Sequence, residues 1–240
     1  DEVIAQDHVT RTLQNALLLR DLLQPDAKGR AGSESLMKKF ERTFGAGEAL
    51  FAEGAAKTHF SWHVLTGGNA FDIFRPEVLK EETRRHPFAE APRMKNNFTR
   101  LNFGWLGYWV PDGKTIGTQP DMLEYVTSRA AAWDCPVSVH ANTTAFSNHP
   151  RTADNLEVLR RWEEVRALGW LTEDQKKMLQ NGDQEHILLI NEKKEFELVP
   201  YEQITDIAGG SNEIRAFTFS RNNEEYIVYW HISGNRKLVL

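Results

Sequence analysis

Two carboxylates stand where the chain could do acid–base or nucleophilic chemistry. Glu53 closes the apolar run Ala49–Ala52 and precedes Gly54, and Asp72 ends the glycine-rich segment 67–72. Hydrolysis can use such a pair, one group protonating a leaving oxygen and the other attacking or activating water. Trp105, Tyr108 and Trp109 cluster at the end of a strand-like run, and His140 and Asn142 lie at the end of another. Flat rings stack on the C–H face of a sugar while amide and imidazole groups bond its hydroxyls. Asn102, His140 and Asn142 are therefore expected to bind substrate, with Trp105 and Trp109 as platforms. His59, Trp62 and His63, in the segment 58–64, complete the expected binding set.

Each assignment has a plainer counterpart. Glu53 fits a solvated turn glutamate, since charged side chains are mostly exposed. Asp72 fits a turn-forming aspartate. Trp62 serves equally well as strand packing. His59 and His63 have the i, i+4 spacing of helical zinc ligands, but the segment reads as a strand, where the pair stands about 13 Å apart. The HExxH glutamate is missing as well, so no metal and no cofactor are expected. Glu124 sits mid-helix without an ideally spaced base and suits a helix surface or a helix–barrel contact. Glu163 and Glu164 read as a solvated helix face. Trp133, Trp162 and Trp170 read as helix packing, Trp230 as part of a β core, and Cys135, the single cysteine, as a buried thiol.

The elements that must position these residues follow from periodicity. Residues 2–23 read as an amphipathic helix, a breaker follows from Asp26 to Ser33, and a second helix capped by Ser33 or Ser35 runs through Glu41. Residues 49–52 and 60–65 read as short buried strands, and the proline-containing region 67–95 has no assignable period. Residues 99–105 read as a strand, 121–133 as a helix, 137–140 as a strand and 152–168 as a helix. Thr172 to Gln175 forms a capping box for a shorter helix. Alternation of this kind calls for parallel strands covered by helices. From His186 onward the runs 187–190, 196–199, 214–219, 226–232 and 237–240 alternate between turn clusters, as antiparallel strands do.

Composition narrows the classes. The 240 residues are 40% hydrophobic and 26% charged, the balance of a globular protein. A net charge of −5, with basic residues only in short pairs, is not the footprint of a nucleic-acid binder. No apolar run is long enough to span a membrane, and the first residues lack the pattern of a signal peptide. If the protein is extracellular or periplasmic, its leader has been removed.

Four segments carry a family likeness: residues 58–64, Asn96–Phe98 with Asn102–Trp105, Gln119–Val126, and His149–Thr152 with Leu159–Arg166. They resemble the later part of glycoside-hydrolase-type TIM barrels, in which a C-terminal β-sandwich ends in a strand similar to Tyr229–Gly234. The likeness spans roughly residues 45–240 and implies a carbohydrate-active protein, a glycoside hydrolase or a fragment of one, acting on poly- or oligosaccharide. A non-catalytic carbohydrate-binding or scaffold module is the alternative. The implied architecture is an α/β fold, a partial or reduced (β/α) barrel followed by a small antiparallel β-sandwich domain. Its divisions are an N-terminal helix and linker (1–32), the barrel part (33–182) and the sandwich (183–240). A whole barrel takes about 250 residues, more than the chain has between Ser35 and Asn181. A half barrel leaves two strand edges to pair or cover, which admits a homo-oligomer. The first seventeen residues separately resemble the start of a clamp-loader ATPase, but that activity needs a phosphate loop, and Glu53–Thr58 lacks its glycine before the lysine.

Overall fold

The computed structural model describes residues 70–96, 103–207 and 213–234, together with 52–53, 65–67, Lys38 and Arg42. The chain divides into two compact units, Asp1–Gly68 with Asn97–Thr99, and Asn69–Asn96 with Arg100–Leu240. In the first, β1 (Ala52–Glu53) pairs in parallel with β2 (Leu65–Gly67), and an irregularity between Ala52 and Glu53 shifts the register. The expected helices over 2–23 and 33–41 lie outside the described residues, except that Lys38 and Arg42 are helical and exposed.

The second unit is a mixed α/β assembly. It runs β3 (Ala70–Phe71), α1 (Pro76–Asn96), β4 (Trp105–Gly107), α2 (Pro120–Ala132) and β5 (Ser138–His140). The three strands form a parallel sheet in sequential order, each joined to the next through a helix. The region 67–95, without a period in the sequence, is mostly taken up by the 21-residue helix α1. Pro76 opens it, where a missing N–H costs nothing, and Glu77 lies in the first turn. Pro87 and Pro92 then fall inside it, positions that ordinarily remove a backbone hydrogen bond and bend a helix. Those prolines are what hid the helix in the sequence. Of the strand expected over 99–105, residues 99–102 lie outside the described residues, and Trp105 opens β4 rather than ending the strand.

After β5 come α3 (Thr143–Asn148), α4 (Thr152–Leu168) and α5 (Glu173–Asn181). Thr172 caps α5 by accepting the Gln175 backbone N–H, and Gln175 Oε1 accepts the Thr172 N–H in return. Gly169 and Gly182 end α4 and α5 in the left-handed region that glycine tolerates. The chain then forms β6 (Glu185–Ile190), β7 (Phe196–Ile204), β8 (Ile214–Arg221) and β9 (Glu224–His231), an antiparallel sheet in sequential order. Asn222 and Asn223 turn the last hairpin, both at positive φ (55° and 63°) as a two-residue type I′ turn requires. Among the described residues this is one sheet, and the layer against β6 is made by α2 and α4. The run 237–240 lies outside the described residues.

Helix α2 is the centre of the core, buried from Asp121 through Ala132. Met122, Leu123 and Val126 pack with Leu79 of α1, Leu106 of β4, Trp162 and Val165 of α4, Leu179 of α5 and Leu188 of β6. A helix buried on every side must satisfy its polar groups internally. Asp121 takes a two-pronged bond from Arg215 (2.8 and 2.6 Å) and lies 3.2 Å from Lys80, which also pairs with Glu185 (2.8 Å). Arg129 lies over the Tyr125 ring and donates to the carbonyls of Gly182 (3.1 Å) and Gln184 (3.2 Å). Glu124 is buried and joins α4 to β6, accepting from the Trp162 indole, Arg161 and the Leu188 N–H. It belongs to a helix contact and not to a helix surface. Cys135 is buried, and Trp230 stacks on Phe217 within the antiparallel sheet.

Candidate functional site

The three parallel strands end at one level. Phe71 of β3 lies beside Leu106 of β4, Leu106 beside Val139 of β5, and Gly107 beside His140. Asp72, the next residue after β3, therefore joins Gly107 and His140 at the C-terminal edge of the sheet. Alternation sets the faces: Leu106 points into the helical core, while Trp105, half-buried, and Ser138 and His140, exposed, share the opposite side. The Trp105 and His140 rings meet edge to face, 5.2 Å between centroids.

Gly107 is required here by close approach. A methyl group on its Cα would collide with Asp72 Oδ1 and would stand 2.9 Å from Trp109 Nε1. The absent side chain lets a carboxylate and an indole N–H lie over the end of β4. Asp72 is exposed. The Trp109 N–H is buried and has no hydrogen-bond partner among the described residues, a donor that a ligand oxygen would satisfy.

Loop 108–119 is fixed from below. Thr118, fully buried, donates through its hydroxyl to the Gly107 carbonyl (3.1 Å), and the same hydroxyl oxygen accepts the backbone N–H of Trp109 (2.8 Å). Its own N–H closes the loop on the Trp109 carbonyl (2.8 Å). Asn155 of α4 donates to the Thr118 carbonyl (2.8 Å) and to the Tyr108 hydroxyl (3.0 Å). Asp112 accepts the N–H groups of Lys114 and Thr115, and these bonds hold its carboxyl below the usual carboxylate range. Phe74 meets Trp109 edge on, 6.0 Å between centroids.

Asp72, Trp105, Trp109 and His140 are thus gathered at one strand edge. Asn142 lies just beyond, where it caps α3, its side-chain oxygen accepting the Ala145 N–H (2.7 Å) and the Thr144 hydroxyl (2.7 Å). Tyr108 is buried against Phe146 and His149 and serves the scaffold. Glu53 ends β1 in the other compact unit, and His59, Trp62, His63 and Asn102 lie outside the described residues. Sequence reasoning missed Phe74, Gly107 and Thr118. Of these only Gly107 carried a signal, as a glycine between Leu106 and Tyr108 in an apolar strand.

No group of three His, Cys, Asp or Glu side chains among the described residues is placed to hold a metal ion. No helix among them is long and apolar enough to cross a membrane. No protein-family model, curated protein or solved structure matches the chain.

Proposed function

We propose that the chain is a carbohydrate-active protein, a glycoside hydrolase or a fragment of one, with the C-terminal edge of β3–β4–β5 as its sugar-facing surface. The observation that carries this is the grouping at that edge: the Asp72 carboxylate and the unpartnered Trp109 N–H over Gly107, beside the Trp105–His140 pair. Acceptor, donor and ring faces within one patch are what a pyranose, with its hydroxyls and apolar C–H face, requires. Sequential parallel strands with intervening helices support reading this part as a section of a (β/α) barrel, whose ligands bind at the C-terminal strand ends. The sheet β6–β9 is read as one layer of the following β-sandwich.

In this reading Asp72 supplies a carboxyl group at this edge, and Glu53 is the candidate that the sequence offers for the second. The alternative, a binding module without turnover, is favoured by one observation: beside Asp72 that edge presents ring faces and an indole N–H, the parts of a binding surface. Titration with neutral oligosaccharides, followed by tryptophan fluorescence and by release of reducing ends, separates the two. Turnover that disappears in both Glu53→Gln and Asp72→Asn supports the hydrolase. Binding without turnover supports the module, and the absence of both signals rejects the carbohydrate reading.

A further inference from the structure

A cavity of about 450 Å³ opens beside Phe74, bounded by the first turn of α1, the loop after β4 and the facing ends of β7 and β8. We infer that it is a subsite for an anionic sugar unit, whose carboxylate or sulfate is held by Arg75 and Lys114. The inference rests on the carbohydrate reading of the neighbouring strand edge and names the class of glycan that edge would take.

Continuity is the first support. Phe74, 42% exposed, lines the cavity with one part of its surroundings and meets the Trp109 ring with another, and it stands two residues beyond Asp72. A glycan lying across Trp109 reaches the cavity with its next unit. The Thr115 hydroxyl donates to the Phe74 carbonyl (3.5 Å), which ties the cavity wall to the loop that carries Trp109.

The charges are the second support. Arg75, Glu77, Lys114 and Arg215 are the ionisable groups lining the cavity. Arg215 is committed to Asp121 by two hydrogen bonds, and the Glu77 charge acts on that same guanidinium. Arg75 is exposed, and no hydrogen bond or ion pair holds its guanidinium among the described residues. Lys114 is exposed, with the ionised Asp112 carboxylate acting on it from nearby while that carboxylate's own hydrogen bonds go to two backbone N–H groups. Arg75 and Lys114 thus bring two cationic side chains to an open volume, against the Glu77 carboxylate in its lining and Asp112 beside Lys114, in a chain whose net charge is −5, so attraction of an anion there is local and not a property of the whole surface. Ile116, Ile204, Ile207 and Ile214 supply apolar wall for the ring of the sugar, and an arginine fork matches the paired oxygens of a carboxylate or sulfate.

The test is a glycan array printed with neutral, uronate-bearing and sulfate-bearing oligosaccharides, followed by calorimetry on a matched neutral and charged pair. The charged member is expected to bind about tenfold tighter at low salt, with the advantage shrinking in 0.5 M salt (the concentration chosen for about a 4 Å screening length). Arg75→Met with Lys114→Met removes that advantage and leaves neutral binding intact, whereas Asp72→Asn weakens neutral and charged sugars together. The array separates carboxylate from sulfate. Equal binding of neutral and charged sugars, or a preference that survives the double substitution, overturns this inference alone. If no sugar binds at all, the carbohydrate reading falls and this inference falls with it.

Discussion

At the scale of single residues, the site depends on an atom that is missing. Gly107 has no Cβ, and that space is what Asp72 and the Trp109 indole occupy. Gly107→Ala is expected to displace both groups and to destabilise the fold by about 1 kcal/mol, the low end of overpacking costs, because the exposed Asp72 carboxyl can swing away and the Trp109 ring has only a little to give. Denaturant unfolding and oligosaccharide titration of the same variant check the two effects, and unchanged ligand affinity would separate Gly107 from the site. Trp109→Phe keeps the ring and removes the N–H. Under the proposed carbohydrate reading its expected effect is a loss of about 1 kcal/mol, or several-fold, in sugar affinity with little change in unfolding midpoint, because the indole N–H has no partner within the described residues to lose.

At the scale of elements, α2 holds the two sheets of the second unit to one core, and its polar contacts are the vulnerable ones. Asp121 is fully buried between Arg215 and Lys80, which together hold its carboxyl below the usual range against the opposing effect of burial. Asp121→Ala leaves the Arg215 guanidinium buried without its partner, a loss of about 3–5 kcal/mol in chemical denaturation. By contrast Thr172→Ala removes only the cap of α5, about 1 kcal/mol. If the two losses were equal, the Asp121 pair would not be the joint between α2 and β8 described here.

At the scale of the whole molecule, two buried groups give stability opposite pH slopes. Burial pushes the Glu124 carboxyl up to about 7 from its ordinary 4.5, although Arg161 and the Trp162 N–H pull the other way. The folded chain then keeps a proton that the unfolded chain releases, so this contribution is full below pH 4.5 and is lost as pH rises through 7, about 3 kcal/mol in all. Burial pushes His149 down from 6.5 to about 4, and there the unfolded chain binds the extra proton. That contribution is full above pH 6.5 and is lost as pH falls through 4. Between pH 4.5 and 6.5 the two oppose one another, and His186, also lowered by burial, adds to the histidine side. In Glu124→Gln only the histidine slope remains, so the unfolding free energy of that variant is expected to rise with pH across this window more steeply than wild type. Parallel pH profiles for the two proteins would contradict this account of Glu124.

Local signals were enough for the elements whose reasons are local. The capping box at Thr172, the apolar period of 152–168 and the paired asparagines before Glu224 each act within a few residues, and α5, α4 and the last hairpin form where those signals lie. The aromatic residues Trp105 and Trp109 and the strand-end His140 were legible for the same reason, as types at fixed offsets from apolar runs. Helix α1 was not, because Pro87 and Pro92 argue against a helix locally, and packing of Leu79 against α2 enters only through the tertiary fold. Nor could spacing reveal that Asp72 and Trp109 share the space above Gly107, that Phe74 joins that patch to a cavity, or that Glu124 is buried between α4 and β6. Sequence by itself determined a mixed α/β chain with its later helices and antiparallel strands, since periodicity and caps are properties of neighbouring residues. Only the tertiary structure decided which side chains meet, because strand register and helix burial are set by contacts between residues far apart in the chain.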